Sequence, residues 1–220
     1  MIELIKKNYF VCVGIFLSIV LIVIFNEIFF DNKTFGSSDN LSPKAVGLAL
    51  NEVMEKEGGY PHWQPWVFSG MPTAEAFTNI SQLYFPEYLF KIFSVPGMFI
   101  QISHFLFCGI GMVLLLRYLG CTYWSSLLGS IGFMITPYMV TMLVFGHGSQ
   151  IMTAAYIPWI VMFAIKLWND PKILNIGILS LFLGFQLQRS HVQIAYYTWL
   201  LIGAFFFFKI INIAYKSKKL

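Results

Sequence analysis

The chain has 220 residues, of which 58% are hydrophobic and 18% aromatic, whereas only 11% are charged. Soluble globular domains carry about 25% charged residues, so the composition excludes an ordinary soluble domain. It also excludes a disordered, collagen-like or disulfide-framework chain. The formal net charge of +4 does not indicate a nucleic-acid partner, because the basic residues flank apolar runs rather than forming a charged block. The composition therefore predicts a protein embedded in the lipid bilayer.

Apolar runs recur along the chain at lengths that suit membrane crossing. They predict an all-α polytopic membrane protein with about six transmembrane helices, at residues 9–30, 97–116, 122–145, 151–168, 173–188 and 194–213. The first run follows Lys6 and Lys7, as is typical of a signal-anchor helix. Pro137 and Pro158 interrupt the third and fourth runs, and we expect each helix to kink there.

The positions of the basic residues predict the orientation. An even number of spans puts both termini on one side, and the positive-inside rule makes that side cytoplasmic. The residues at the predicted inner ends are Lys6, Lys7, Arg117, Lys166, Lys172, Lys209, Lys216, Lys218 and Lys219. The two short outer turns contain only Arg189. We therefore expect a multi-pass protein of the cytoplasmic (inner) membrane, with both termini cytoplasmic and the segment 31–95 at the outer face.

The outer segment 31–95 contains a predicted amphipathic helix at about residues 43–57, which we expect to lie on the membrane interface. Ser42 and Pro43 suit the N-cap and the first helical position, and Gly58 suits the end. The apolar stripe would consist of Val46, Ala49, Leu50, Val53 and Met54. Glutamates on the other side of the helix are expected to face water.

Two further features of the outer segment suggest chemistry. Asp39 follows small residues that would leave its carboxylate free to approach a substrate or an ion, although an ordinary turn aspartate has the same pattern. Residues 60–72 are rich in aromatic rings and prolines. Trp63 and Trp66 suit either the apolar face of a sugar or prenyl chain, or an aromatic belt at the bilayer surface.

Ionisable and amide side chains from separate loops are predicted at the same outer face. They are Asp39, His62, Glu75, His147, Gln150, Arg189, His191 and Gln193. Polar groups at the ends of membrane helices are costly and usually mark a functional site. The sequence therefore predicts a site at the outer face.

Five motifs follow one another along the chain: Asp39 after Gly36, Pro61-His-Trp-Gln-Pro-Trp66, Phe68-Ser-Gly-Met-Pro72, Gly146-His-Gly-Ser-Gln150 and Arg189-Ser-His-Val-Gln193. Together they resemble bacterial YfhO-like membrane proteins, which belong with the polytopic GT-C glycosyltransferases. Family members are longer, so the resemblance implies a GT-C-like N-terminal module that a missing C-terminal part would complete.

The resemblance implies a cell-envelope glycosyltransferase that transfers a sugar from a polyprenyl-phosphate donor to an envelope glycan or lipid acceptor. Asp39 would act as general base, oriented by direct hydrogen bonds or by a divalent metal, and Glu75 is the second candidate catalytic carboxylate. Arg189, helped by His191 or His147, would bind the phosphate. The substrate-binding candidates are His62, Trp63, Trp66, His147, Gln150, Arg189, His191 and Gln193.

Two other functions fit the same sequence. Six spans with kinked helices could form a lipid or solute transporter or flippase, although the sequence has no clear internal repeat and no acidic residue in mid-span. A non-catalytic membrane subunit is the second alternative, because the chain is short for an enzyme of the family it resembles.

Overall fold

A computed structural model of the protein describes residues 8–31, 33–59, 61–73 and 84–217. The side chains of Ser38, Asn40, Ser42 and Pro43 lie outside this description. The described residues are mostly helical, and residues 61–73 include a short β-hairpin.

The helices are α1 (Tyr9–Ile24), α2 (Asn26–Phe30), α3 (Ser38–Glu57), α4 (Phe85–Ile92), α5 (Gly97–Tyr118), α6 (Tyr123–Met134), α7 (Pro137–Val144), α8 (Gly148–Ala154), α9 (Ile157–Asn169), α10 (Ile173–Gln188) and α11 (Val192–Ser217). The strands β1 (Trp63–Gln64) and β2 (Met71–Pro72) pair in an antiparallel register, with Trp63 opposite Pro72 and Gln64 opposite Met71.

Among the residues that the structure describes, four helical stretches are long and apolar enough to cross a membrane: α5, α6 with α7, α8 with α9, and α11. α1 and α10 are also apolar, but each has 16 residues. At 1.5 Å per residue they are about 24 Å long, against a hydrocarbon core of about 30 Å. The described chain thus has the architecture of an all-α membrane protein, and α1 and α10 are the two helices that the predicted six spans would add to these four.

α5 is the central helix, since it packs against α1, α6, α8 and α9. Small residues allow these close approaches. A Cβ at Gly109 would lie 2.8 Å from the Met134 sulfur of α6, and a Cβ at Gly111 would collide with the indole of Trp159 on α9. That indole donates a hydrogen bond of 3.0 Å to the Phe107 carbonyl, so the packing of α9 on α5 has a polar as well as an apolar component.

The third and fourth of the predicted spans are interrupted near their prolines. Thr136 has an extended backbone with ψ 147°, its hydroxyl accepts the Met139 N–H, and Pro137 is the first residue of α7. Pro158 lies in the first turn of α9, just after α8 has ended. A proline lacks an N–H to donate, so each break falls where the helical hydrogen-bond pattern cannot continue.

The helix of the outer segment begins earlier than the predicted residue 43. α3 starts at Ser38, with Ser37 in an extended backbone at the N-cap, and Asp39 lies in its first turn rather than in a flexible loop. A carboxylate is favourable there, because the helix dipole is positive at its N-terminus. Pro43, which was expected to open the helix, lies within it. Gly58 ends α3 in the left-handed region, with φ 73°.

Part of the predicted apolar stripe of α3 is covered by protein. Leu50 is 4% exposed, so the protein itself covers the middle of the stripe. The glutamates on the other side are exposed, and Glu52 pairs with Lys56 at 2.7 Å, which lowers the pKa of Glu52.

Candidate functional site

One end of the bundle brings Asp39 and His147 together from distant parts of the chain. His147 occupies the N-cap of α8, and its Nε2 lies 3.4 Å from the Asp39 Oδ2 at the start of α3. Both side chains are open to solvent, with 41% of His147 and 56% of Asp39 exposed. A carboxylate held beside an imidazole is an arrangement suited to proton transfer.

His191 lies beside this pair, just before α11. Its Nδ1 accepts the Ile194 backbone N–H at 3.3 Å, so the side chain caps the helix and Nδ1 is unprotonated. Burial lowers the pKa of His191, and the nearby charge of His147 lowers that pKa further. His191 is therefore neutral at neutral pH, and its Nε2–H can donate a hydrogen bond.

Arg189 is at the same end of the molecule but is almost completely buried, with 2% of its side chain exposed. Its Nη1 donates to Glu87 Oε2 at 3.4 Å, and its Nη2 lies 2.9 Å from the Met152 sulfur. The guanidinium carbon is 4.4 Å from the centre of the Tyr84 ring, which adds a cation–π contact. Its Nε has no hydrogen-bond partner in the described chain. Arg189 is thus already paired with a carboxylate.

A buried polar chain next to Arg189 was not among the predicted site residues. The His104 Nδ1–H donates to the Ile100 carbonyl at 2.8 Å, which leaves Nε2 to accept from the Tyr84 hydroxyl at 3.3 Å. The Tyr84 hydroxyl is also hydrogen-bonded to the Tyr156 hydroxyl. Burial raises the pKa of Tyr84, which keeps the phenol neutral. These side chains border a cavity of about 220 Å³ between α4 and the bundle.

His62, Trp63 and Trp66 lie on the hairpin of the outer segment. Trp63 is 55% exposed and Trp66 is 46% exposed. The Trp63 ring lies over Gly70, where φ is 121° and a Cβ would be 2.6 Å from the indole. The His62 carbonyl accepts the Thr73 N–H at 3.0 Å. In the described residues, no hydrogen bond or ion pair joins these aromatic side chains to the Asp39–His147 pair.

The remaining predicted residues have different surroundings. Gln193 is exposed and donates to the Tyr197 hydroxyl at 3.0 Å. Gln150 lies on α8 three positions after His147, and its Oε1 is buried with no hydrogen-bond partner in the described residues. Glu75 lies outside the described residues.

A divalent metal on Asp39 is the alternative that the sequence left open. In the parts of the chain that the structure describes, no group of three or more His, Cys, Asp or Glu side chains could hold a metal ion. The contact that the described residues show for the Asp39 carboxylate is the one with His147, whose Nε2 lies 3.4 Å from Oδ2.

The sequence did not identify Glu87, Tyr84 and Tyr156 as site residues, because their roles depend on contacts between residues that are far apart in the sequence. Glu87 pairs with a residue 102 positions away. One sequence signal was present, since Glu87 is an acidic residue within an otherwise apolar stretch directly before a span.

Comparison with known proteins gives no relative from which a role could be transferred: no protein-family model, no curated protein and no solved structure matches this chain.

Proposed function

We propose that this chain is the membrane-embedded part of a GT-C-type glycosyltransferase. It would transfer a sugar from a polyprenyl-phosphate donor to an envelope glycan or lipid acceptor at the outer face of the cytoplasmic membrane. The observation that carries the proposal is the Asp39–His147 pair, a solvent-accessible carboxylate and imidazole at 3.4 Å, with His191 beside it.

The proposal includes a topology of six spans, with α1 and α10 added to the four long apolar stretches and with both termini cytoplasmic. In that orientation the N-terminus of α8 and the turn between α10 and α11 lie at the outer face. The lysines and Arg117 that flank the opposite ends support this orientation, because basic residues favour the cytoplasmic side.

Glycosyl transfer needs a base for the acceptor hydroxyl and stabilisation of the departing phosphate. Asp39 would remove the hydroxyl proton while the hydroxyl oxygen bonds to the anomeric carbon. The bond from that carbon to the phosphate oxygen breaks, and the phosphate leaves with the electron pair. His147 would orient Asp39, and the Nε2–H of His191 would donate to the phosphate.

The geometry favours His147 and His191 over Arg189 as the first contacts of a phosphate. Arg189 is 2% exposed and paired with Glu87. A phosphate would have to displace that carboxylate before it could bind the guanidinium. Arg189 therefore enters the proposal as a residue that shapes the site, and a direct phosphate contact follows only if α4 moves.

Asp39→Asn in the full chain tests the proposal. Membranes that contain the protein would be supplied with polyprenyl-phosphate hexoses carrying a radiolabelled sugar, and transfer to lipid or glycan would be counted. Asp39→Asn should abolish transfer, because an amide cannot accept the proton, while binding of the labelled donor stays unchanged. Asp31→Asn is the matched control, since Asp31 is a similarly exposed outer carboxylate, and it should retain transfer.

Transfer by Asp39→Asn at the rate of the unsubstituted chain would contradict the assignment of the base. Failure of the unsubstituted chain to bind or use any of the supplied donors would contradict the glycosyltransferase proposal itself.

A further inference from the structure

α4 has an apolar face whose side chains are largely exposed. Phe85, Tyr88, Leu89 and Ile92 follow the spacing of one helix face, and Phe93 extends it. Their exposed fractions are 72%, 49%, 59%, 73% and 76%, respectively. A contiguous apolar surface of this kind marks an interaction site rather than ordinary surface variation. We call these five residues the α4 stripe.

The opposite face of α4 is fixed to the protein. Glu87 pairs with the buried Arg189, and the ring of Phe90 lies 6.4 Å from the ring of His104. Tyr84, directly before the helix, is 2% exposed and hydrogen-bonded to Tyr156. These contacts prevent α4 from rolling about its axis, so the stripe must point away from the bundle.

The connection to α5 places the stripe near the outer end of a membrane-crossing helix. Only residues 93–96 separate α4 from α5, and the turn is closed by hydrogen bonds from the Ser94 N–H to the Lys91 carbonyl and from the Val95 N–H to the Phe90 carbonyl. The stripe is therefore joined by a short turn to a helix that is long and apolar enough to span the bilayer.

A basic residue borders the stripe. Lys91 is exposed, and its ammonium lies 5.7 Å from the centre of the Tyr88 ring. An apolar helix face flanked by a lysine and a tyrosine fits the boundary between acyl chains and anionic head groups, where the lysine can extend to a phosphate.

We propose that α4 is a membrane-docking helix. It lies in the outer lipid–water boundary, with the α4 stripe among the upper acyl chains and Lys91 at the head groups. The occupant of this surface is phospholipid, because a short turn joins the stripe to a membrane-crossing helix and a cation lies at its edge. The outer side follows from the six-span topology proposed above. The docking of α4 at a lipid–water boundary does not depend on glycosyl transfer, since it concerns a surface outside the Asp39–His147 pair.

Spin labels on α4 in nanodiscs that hold one copy of the full chain test this proposal. Cys12 and Cys121 would be replaced by serine, while Cys108 is buried and is left in place. A label at Ile92→Cys should collide readily with dissolved oxygen and lose contact with a water-soluble nickel chelate. A label at Lys91→Cys, the adjacent residue on another side of the helix, should show the reverse preference. Phe93→Cys is the second stripe position, in case Ile92→Cys does not fold.

Two labelling results would each overturn the proposal that phospholipid covers the stripe. A stripe label that is accessible to the nickel chelate would place α4 in water and overturn the proposal. A stripe label shielded from both reagents would show that protein covers the stripe, which would also overturn it.

Discussion

Arg189 is a buried cation with 2% of its side chain exposed. The Arg189 guanidinium faces into the protein, toward Glu87, Tyr84 and Met152. A buried charge is costly unless it is paired, so Glu87 and the Tyr84 ring explain why the guanidinium can be 2% exposed. No local sequence pattern specifies that pairing.

His191 provides a prediction at this scale. Its pKa is lower in the folded protein than the ordinary value of 6.5, so the unfolded chain binds more protons as the pH falls through 6.5. The free energy of unfolding should therefore decrease on mild acidification. The His191→Gln variant should lose this part of the pH dependence, as measured by the thermal unfolding temperature at neutral and mildly acidic pH in one detergent.

His62→Gln is the control for this measurement, because His62 is exposed on the hairpin and its replacement should leave the pH dependence as it is. An unchanged pH dependence in His191→Gln would show that the protonation of His191 is not linked to folding.

The two ends of α3 differ in how well the local sequence predicts them. Gly58 ends the helix in a conformation that glycine adopts without steric cost. At the other end the sequence predicted Ser42 as the N-cap, but the helix begins after Ser37. Both serines are acceptable N-caps, so the choice between them depends on contacts made by the rest of the molecule, among them that of Asp39 with His147.

Gly58→Ala should weaken the C-terminal end of α3. An L-residue in the left-handed region costs about 1–2 kcal/mol, and about 1 kcal/mol corresponds to roughly a five-fold change in an equilibrium. Amide hydrogen exchange of the last turn should therefore become roughly five-fold faster or more. Mass spectrometry of peptides from α3 measures the exchange.

Gly47→Ala is the matched control in the same helix. Gly47 lies in the middle of α3 with open space around its Cα, so alanine should stabilise the helix by about 0.5–1 kcal/mol and slow exchange. If the two variants changed exchange in the same direction, the left-handed conformation at Gly58 would not be the cause.

The sequence was most informative where structure depends on local pattern. The apolar runs predicted α5 to within a few residues, and Pro137 and Pro158 predicted interruptions, because apolar length and a missing N–H act locally. Asp39, His147 and His191 were predicted at one end of the bundle, since topology alone brings them there. α4 was missed, because its apolar stripe lies in a segment that was interpreted mainly as an outer loop.

At the scale of the whole molecule, orientation relative to the bilayer is the property that governs function. The central position of α5, with α1, α6, α8 and α9 around it, gives one bundle with two distinct ends. One end carries Asp39, His147 and His191, and the other carries Lys172 and the turn at Asp170. The proposed function requires the first of these ends to be outside.

Single cysteines at Asp31 and Asp170 test the orientation. These two carboxylates are exposed to a similar degree, at 55% and 51%, and they lie at opposite ends of the proposed topology. With Cys12 and Cys121 replaced by serine, a membrane-impermeant maleimide added to intact cells should label Asp31→Cys and should label Asp170→Cys only after the cells are opened. Both substitutions leave the lysines and arginines in place, so the charges that set the orientation are retained.

The reverse labelling pattern would invert the topology. Labelling of both positions in intact cells would show an even number of crossings between them instead of the proposed three, and either outcome would remove the outer-face site from the proposal.

The interruptions at Pro137 and Pro158 each divide a helix in two, and the short segments α7 and α8 pack against each other. His147 is in the short connection between them. Its position relative to Asp39 is therefore set by a pair of short helices, of which α8 is buried against α5, α10 and α11. A substitution on the buried side of α8 would shift the imidazole and the packing of the bundle together, so the aim of His147 and the integrity of the bundle depend on the same contacts.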